Sequence, residues 1–224
     1  MRRLNLVKLR QVAAVSLLLS LLMCEPVGMT QELVFYPPNA PKILSDYGDW
    51  LGVRRGSRDQ EHAGIDFAGR VGNNPYAGAG APVLAAADGK VLTARWNDQR
   101  GFIITIAHGT DADGNYLWTL YFHNQEILVE IGQEVKRGQR IATVGSTGWG
   151  SAGVPHVHLY LYKGTNAKFT PQQNGQFPVN PHEYWVDGPF KPTCFDPARE
   201  YLKDRVRLTL PVECAPLESK EKKQ

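Results

Sequence analysis

Short apolar runs alternate with turn-forming residues through the middle of the chain. Between residues 50 and 162 these runs are separated by Gly, Asn and Asp, a texture typical of β-strands joined by tight turns. Asp-Gly at 88–89 and Asp-Gly-Asn at 113–115 are typical hairpin turns. Because little of this region has a helical period, we predict a mostly β, antiparallel, sandwich-like core. The predicted strands cover residues 82–87, 90–95, 102–108, 116–123, 140–144 and 157–162.

The segments after this core predict less regular structure. Residues 164–180 are polar and carry Gly and Pro, so we expect a surface loop there. Asp196 followed by Pro197 is a helix-start signal, because Asp caps a helix and Pro suits its first position. A short C-terminal helix is therefore expected to about Asp204, and residues 206–210 are predicted as one more strand.

The first 28 residues differ in composition from the rest. They carry four basic residues and one acidic residue, and include the uncharged apolar run 12–24. A basic start followed by a short apolar run indicates a secretory signal, whereas a membrane-spanning helix needs about 20 residues. An uncleaved membrane anchor and lipidation at Cys24 are the alternatives. We therefore expect export to the periplasm or cell envelope, with possible membrane association only through the N-terminus.

The net charge of the chain arises in that N-terminal segment. The formal net charge of the 224 residues is +3, and the segment accounts for all of it. The remainder is neutral overall, so nothing favours nucleic-acid binding. At this length we expect a monomer with one globular domain and appendages. The expected organisation is a signal or anchor over 1–28, a linker over 29–47, the main domain over 48–190 and a C-terminal extension over 191–224.

Export also affects the interpretation of the three cysteines. If Cys24 leaves with the signal or carries lipid, Cys194 and Cys214 remain, and an oxidising compartment would let them pair. Closing that loop would stabilise the fold by about 3 kcal/mol in the chain-entropy description. The alternative is two buried free thiols.

Two histidines stand one residue apart in the strand-like stretch GVPHVHLY, residues 153–160. Side chains alternate along a strand, so His156 and His158 point to the same face with Cα atoms about 6.6 Å apart. A packed core gains little from two imidazoles on one face, whereas a metal or proton-transfer site needs them. The alternative is a partly buried pair that hydrogen-bonds to neighbouring strands.

A second half-site is His62-x-x-x-Asp66 in the stretch EHAGID. In a straight strand, residues four apart lie about 13 Å from each other, which is too far for two ligands of one Zn²⁺ ion. The segment must therefore bend, and the backbone bends most easily at Gly64. Alone the motif is weak, because many surface loops carry a His and an Asp this close.

Together the two motifs offer two histidines and one carboxylate. Three such ligands leave one position of Zn²⁺ open for water, which is the pattern of catalytic zinc sites. One histidine of the 156/158 pair would then remain for proton transfer, and His123 at the end of a predicted strand is a further candidate.

Longer stretches of the chain resemble the lysostaphin-type zinc endopeptidases, secreted bacterial enzymes that cut peptide cross-bridges of cell-wall peptidoglycan. The resemblance runs in the family's order over about residues 48–185 and implies that family's fold, a peptidoglycan peptide as substrate and Zn²⁺ as cofactor. It further implies His62, Asp66 and His158 as zinc ligands. His123 and His156 would be the non-ligand catalytic pair that orients water and stabilises the oxyanion. The matching stretches are HAGIDFAG, GAPVLAAADGKVL, TLYFHN, IGQEVKRGQRIATVGSTG, PHVHLYLY and VNPHEYW.

The chain departs from the family's pattern at Tyr160, where many relatives carry Glu, and in the longer 164–180 loop. His108 and His182 lie outside the five key positions and are interpreted as structural.

Some relatives have lost metal ligands and only bind peptidoglycan or activate other hydrolases; the five intact positions argue against that alternative here. Two hairpins also resemble biotinyl or lipoyl carrier domains, but Lys90 lacks the neighbours of an acceptor lysine.

Overall fold

The computed structural model describes residues 33–49, 61–69, 78–170 and 175–216. The predicted signal or anchor over 1–28, with Cys24, lies outside these residues. Within the described ranges no helix is long and apolar enough to cross a membrane. In chain order the elements are β1 (Ile43–Ser45), β2 (Ile65–Phe67), β3 (Pro82–Leu84), β4 (Gly89–Asn97), β5 (Gly101–Thr110), β6 (Tyr116–Asn124), β7 (Glu126–Ile127), β8 (Glu134–Val135), β9 (Arg140–Thr143), a 3-10 turn (Trp149–Ser151), β10 (Val157–Gly164), β11 (Phe177–Val179) and a second 3-10 turn (Pro181–Tyr184).

The strands form two antiparallel sheets, which confirms the predicted fold class. The larger sheet has the order β1-β2-β10-β6-β5-β4-β8, and β11 pairs with the C-terminal half of β10. The smaller sheet has the order β3-β9-β7. The strands β10 and β6 are paired from His158 opposite Phe122 to Gly164 opposite Tyr116, so they form the middle of the large sheet.

Side-chain alternation along β6 and β10 divides their residues between the two faces of the large sheet. On one face, Tyr121 and Leu159 join a core shared with the small sheet and with the C-terminal segment. On the other face, Trp118, Phe122 and Tyr162 form a second cluster, with Tyr160 and Phe169 packed against it. We call this second side the aromatic face. It is the side on which the candidate site lies.

The C-terminal segment packs on the first core, but without the predicted helix. The Asp196 carboxylate accepts a hydrogen bond from the Ala198 amide at 2.9 Å, and this cap closes only a turn. The following residues offer no apolar stripe, since Leu202 is 75% exposed, and a short helix without such a stripe is unstable in water. The predicted strand over 206–210 is reduced to a single bridge between Leu208 and Trp185.

Two segments that the sequence indicated as irregular contribute edge strands. The strand β1 lies within residues 29–47 and pairs with β2, and β11 lies within residues 164–180 and pairs with β10. Each is three residues long. Strands this short carry too few positions for an alternating pattern to be recognised.

Cys194 and Cys214 form a disulfide across a sequence separation of 20 residues. Both half-cystines pack against the first core, and the loop between them contains the buried residues Val206, Leu208 and Leu210. The disulfide therefore joins both ends of the segment that covers this core.

Removing this disulfide is expected to destabilise the fold. A Cys194→Ala/Cys214→Ala variant should lose about 3 kcal/mol in the free energy of unfolding, because the unfolded chain regains loop entropy. Urea unfolding measures the change. Dithiothreitol should shift the wild-type midpoint to that of the variant and leave the variant unchanged. Equal midpoints for the oxidised wild type and the variant would contradict this account.

Candidate metal centre

The pairing of β2 with β10 brings the two sequence motifs together. Asp66 in β2 is directly opposite His158 in β10. Residues opposite each other in an antiparallel pair have Cβ atoms about 4.5–5.5 Å apart, so their side chains meet. His62 lies just before β2, His156 just before β10, and His123 near the end of β6. The structure thus brings all five predicted site residues to the aromatic face.

Three ring nitrogens approach one oxygen, Oδ1 of Asp66. The distances are 2.7 Å from His158 Nδ1, 3.3 Å from His62 Nε2 and 3.6 Å from His156 Nε2. His62 Nε2 and His158 Nδ1 are 3.0 Å apart. Donor atoms of a tetrahedral zinc site with bonds of 2.0–2.1 Å lie about 3.3 Å apart. His62, Asp66 and His158 therefore offer donor atoms at a spacing that one metal ion can bridge.

Main-chain carbonyls determine the tautomer of three imidazoles. Because a carbonyl can only accept a hydrogen bond, the contacting Nδ1 carries the proton and Nε2 keeps its lone pair. In each case Nε2 is thus the atom that can bind a metal or accept a proton. The Nδ1 contacts are His62 with O of Asp46 (2.9 Å), His123 with O of Thr147 (2.8 Å) and His156 with O of Val154 (2.8 Å).

His158 is oriented by packing. Its ring stacks on Phe122 with centroids 5.4 Å apart and meets Tyr160 edge-on at 4.3 Å. Its Nε2 is buried and has no hydrogen-bond partner among the described residues. A Cβ at Gly64 would lie 2.5 Å from that Nε2. The predicted bend occurs at Gly64, and glycine is also required there because the His158 ring approaches so closely.

The local electrostatics favour a bound cation. Burial by itself would raise the pKa of Asp66, but the hydrogen bond with His158 and the close contact with His62 lower that pKa well below its ordinary value. Burial lowers the pKa of His158, and it lowers the pKa of His123 to about 4. For His62, burial acts to lower the pKa but the contact with Asp66 raises it. An ionised carboxylate beside imidazoles is the donor set that binds a divalent metal.

A β-bulge aims His123 into the site. Between the pairs Phe102–Asn124 and Ile104–Tyr121, two residues of β6 oppose one of β5. Strict alternation would send His123 to the face opposite Phe122, yet both residues line the same groove. His123 has φ = 62°, a left-handed conformation that costs a non-glycine residue about 1–2 kcal/mol. The sequence placed His123 at a strand end but carried no signal for this bulge.

A polar network behind His62 was also missed by the sequence analysis. Trp185 Nε1 donates to His182 Nδ1 at 3.0 Å, and His182 Nε2 donates to Asp46 Oδ1 at 2.7 Å. Asp46 then offers its main-chain oxygen to His62. His182 thus supports the segment that orients His62. Every residue has a main-chain oxygen, so the sequence could not show that the oxygen of Asp46 orients His62.

The five residues line a groove of about 660 Å³ on the aromatic face. Its walls include Phe122, Tyr160 and Tyr162, together with the charged side chains Glu61 and Arg100. A cleft in which convergent polar groups lie beside aromatic side chains is suited to bind a small molecule or a peptide.

Comparisons with known proteins identify the family of the chain. Residues 60–171, half of the chain, match the family model of peptidase family M23. Peptidoglycan DD-endopeptidase ShyB of Vibrio cholerae is 39% identical over 98 residues, 44% of this chain and 20% of that protein. Murein hydrolase activator NlpD of Escherichia coli is 38% identical over 139 residues, 61% of this chain and 31% of that protein. The chain thus covers less than a third of either relative.

Among solved structures, the catalytic domain of the antimicrobial peptidase lysostaphin from Staphylococcus simulans is 28% identical to this chain. The similarity covers 62% of this chain and 88% of that domain, with a TM-score of 0.45.

Gly64→Ala should weaken metal binding, because the new methyl group would displace the His158 ring. We expect at least about a tenfold loss of Zn²⁺ affinity, the size found when groups that orient a ligand are changed. Competition with a chromogenic chelator measures it. Gly132→Ala is the control: its φ is +90° with open space around it, so it strains the backbone without touching the site. Equal affinity for Gly64→Ala and wild type would refute the role of this contact.

His123→Gly should be more stable than His123→Ala by about 1 kcal/mol, because glycine adopts the left-handed conformation without strain. Urea unfolding measures the free energy of unfolding of each variant. Because both variants lack the imidazole, the difference between the two values reports the backbone strain at residue 123. An alanine variant at least as stable as the glycine variant would show that the conformation at residue 123 stores no strain.

Proposed function

The chain belongs to peptidase family M23, and from this premise we propose that it is a zinc-dependent endopeptidase that hydrolyses peptide bonds of bacterial peptidoglycan. The observation that carries the proposal is the convergence of His62, Asp66 and His158 on one point, with the imidazoles of His123 and His156 beside it. A purely structural cluster would not need two further imidazoles in an open groove.

The proposed metal ligands are His62 through Nε2, Asp66 through Oδ1 and His158 through Nδ1. These atoms fit zinc by type as well as spacing, since Zn²⁺ prefers nitrogen and carboxylate donors and three protein ligands leave a position open. Bound there, Zn²⁺ would supply Lewis-acid activation of the scissile carbonyl and of the attacking water.

The proposed catalytic pair is His123 and His156, whose ring centroids are 4.8 Å apart. With Nδ1 of each ring donating to a main-chain carbonyl, Nε2 can accept the proton that water loses on attack. The imidazolium so formed has an N–H donor at Nε2. It can stabilise negative charge on the carbonyl oxygen and then give the proton to the leaving amine.

The surroundings of the pair suit this chemistry. The low pKa of His123 keeps its imidazole neutral near pH 7, as a proton acceptor must be. Phe122 and Tyr160 line the groove with apolar surface, and charge stabilisation is stronger in such a site than in water.

We also propose that the protein works in the periplasm or cell envelope as a monomer, with its catalytic domain over residues 48–190. The disulfide supports export, because such bonds persist in oxidising compartments. The basic, apolar start of the chain supports it independently.

A second candidate function is a non-catalytic activator of other wall hydrolases on the same fold. It is favoured by the similarity to NlpD, which is described as a murein hydrolase activator. The complete set of five polar site residues favours the enzyme.

Two substitutions separate binding from catalysis. His158→Ala should lose both zinc and activity, because a ligand is removed. His156→Ala should keep about one zinc per chain but hydrolyse about 10²–10⁴-fold more slowly, the usual contribution of a general acid–base group. Metal analysis and release of soluble fragments from purified sacculi measure the two properties.

Arg140→Gln, a substitution of an exposed residue outside the site, is the control and should leave both properties unchanged. Wild-type turnover by His156→Ala would refute the assigned role. A zinc-loaded wild type that releases no fragments, yet accelerates a separate wall hydrolase, would favour the activator.

A further inference from the structure

We propose that Arg100 is a specificity residue of the groove, and that it binds a free carboxylate of the peptide substrate close to the bond that is cut. The inference deepens the proposed function and rests on it, since it names the chemistry of the substrate for the same groove.

Arg100 is held rigidly beside the candidate catalytic histidine. It lies in the turn between β4 and β5, where Asn97 Oδ1 accepts hydrogen bonds from the amides of Gln99 (3.1 Å) and Arg100 (2.9 Å). The main-chain oxygen of Arg100 accepts from the amide of His123 at 2.9 Å. The backbone of Arg100 is therefore fixed relative to that of His123, and its side chain starts from an ordered turn.

The guanidinium group of Arg100 has no anionic partner among the described residues. Its Cζ lies over the Phe122 ring at 4.9 Å from the centroid, and the residue is half-buried. The groove also contains Glu61 and Asp66, but neither forms an ion pair with Arg100, and Asp66 is engaged with histidines. A guanidinium offers five N–H donors in a planar fork that matches a carboxylate.

Arg137, which is also half-buried, shows the contacts of an arginine in a structural role. The guanidinium of Arg137 donates to the main-chain oxygens of Ala86 and Arg207, each at 2.7 Å. Arg199, on the surface, is paired with Asp187 at 2.8 Å. Arg100 differs from both because its donors face the groove without such partners. Burial raises the pKa of the Tyr162 phenol, and the nearby positive charge of Arg100 acts to lower it.

The distance to the candidate metal ligands limits where the carboxylate can be. Both Arg100 and His158 lie against Phe122, at 4.9 and 5.4 Å from its centroid, so the guanidinium is no more than about 10 Å from the imidazole. An extended peptide advances about 3.3–3.6 Å per residue. The bound carboxylate therefore belongs to a residue a few positions from the scissile bond.

The experiment compares two forms of one probe. Cross-linked peptides released from peptidoglycan are acetylated on their amines, and half of the sample is then converted with carbodiimide and ammonia so that its carboxylates become amides. Binding is measured by calorimetry with zinc-loaded full-length protein in the His156→Ala background, which avoids turnover. Arg100→Gln and Arg100→Lys are added to that background. Arg95→Gln, an exposed arginine on β4, is the matched control.

With Arg100 present, the carboxylate form should bind about 10- to 100-fold more tightly than the amide form, the effect of a charge-assisted hydrogen bond. Arg100→Gln should abolish this difference, Arg100→Lys should retain part of it, and Arg95→Gln should retain all of it. Equal binding of the two forms with Arg100 present would overturn the inference. A similar loss for both forms in Arg100→Gln would also overturn it, because it would indicate a packing role.

Hydrolysis of the same peptides by zinc-loaded protein with His156 intact separates this inference from the proposed function. Cleavage of both forms at equal rates would overturn the role of Arg100 and support the endopeptidase. Arg100-dependent binding without cleavage of either form would support the carboxylate contact and overturn the endopeptidase. Neither binding nor cleavage would overturn both.

Discussion

The candidate site depends on the register between β2 and β10. Asp66 and His158 meet because they are directly opposite each other, and a slip of one residue would send one of them to the other face of the sheet. The apolar residues that flank them along the two strands prevent that slip. Ile65, Phe67 and Leu159 are fully buried on the first core, so the hydrophobic effect that packs one face also holds the polar residues together on the other.

Several parts of this arrangement could be predicted from the sequence, because they depend on local geometry. The alternation of a strand places His156 and His158 on one face, and the four-residue spacing of His62 and Asp66 requires a bend. The family resemblance then joined motifs nearly a hundred positions apart. Hairpin turns and short apolar runs were sufficient to predict an antiparallel β fold, and family membership confirms the resemblance.

Other parts could not be predicted, because they depend on tertiary contacts. The bulge that turns His123 toward the groove arises from its pairing with β5, and the support of His62 by Asp46 uses a main-chain oxygen. The helix signal at Asp196 and Pro197 was wrong because a cap cannot stabilise a helix without an apolar face to bury. Residues 196–205 lie largely exposed instead, and the chain packs on the core again only from Val206 onward.

The large sheet ends in very short strands, three residues in β1 on one side and two in β8 on the other. A sheet edge recruits a second chain through a row of unpaired main-chain groups, and β1 is too short to present more than a few of them. On the other side, β8 pairs only with Gly89 and Lys90 of the nine-residue β4. Among the described strands, the outer edge of β4 beyond Lys90 is therefore the longer template for a strand added from another molecule.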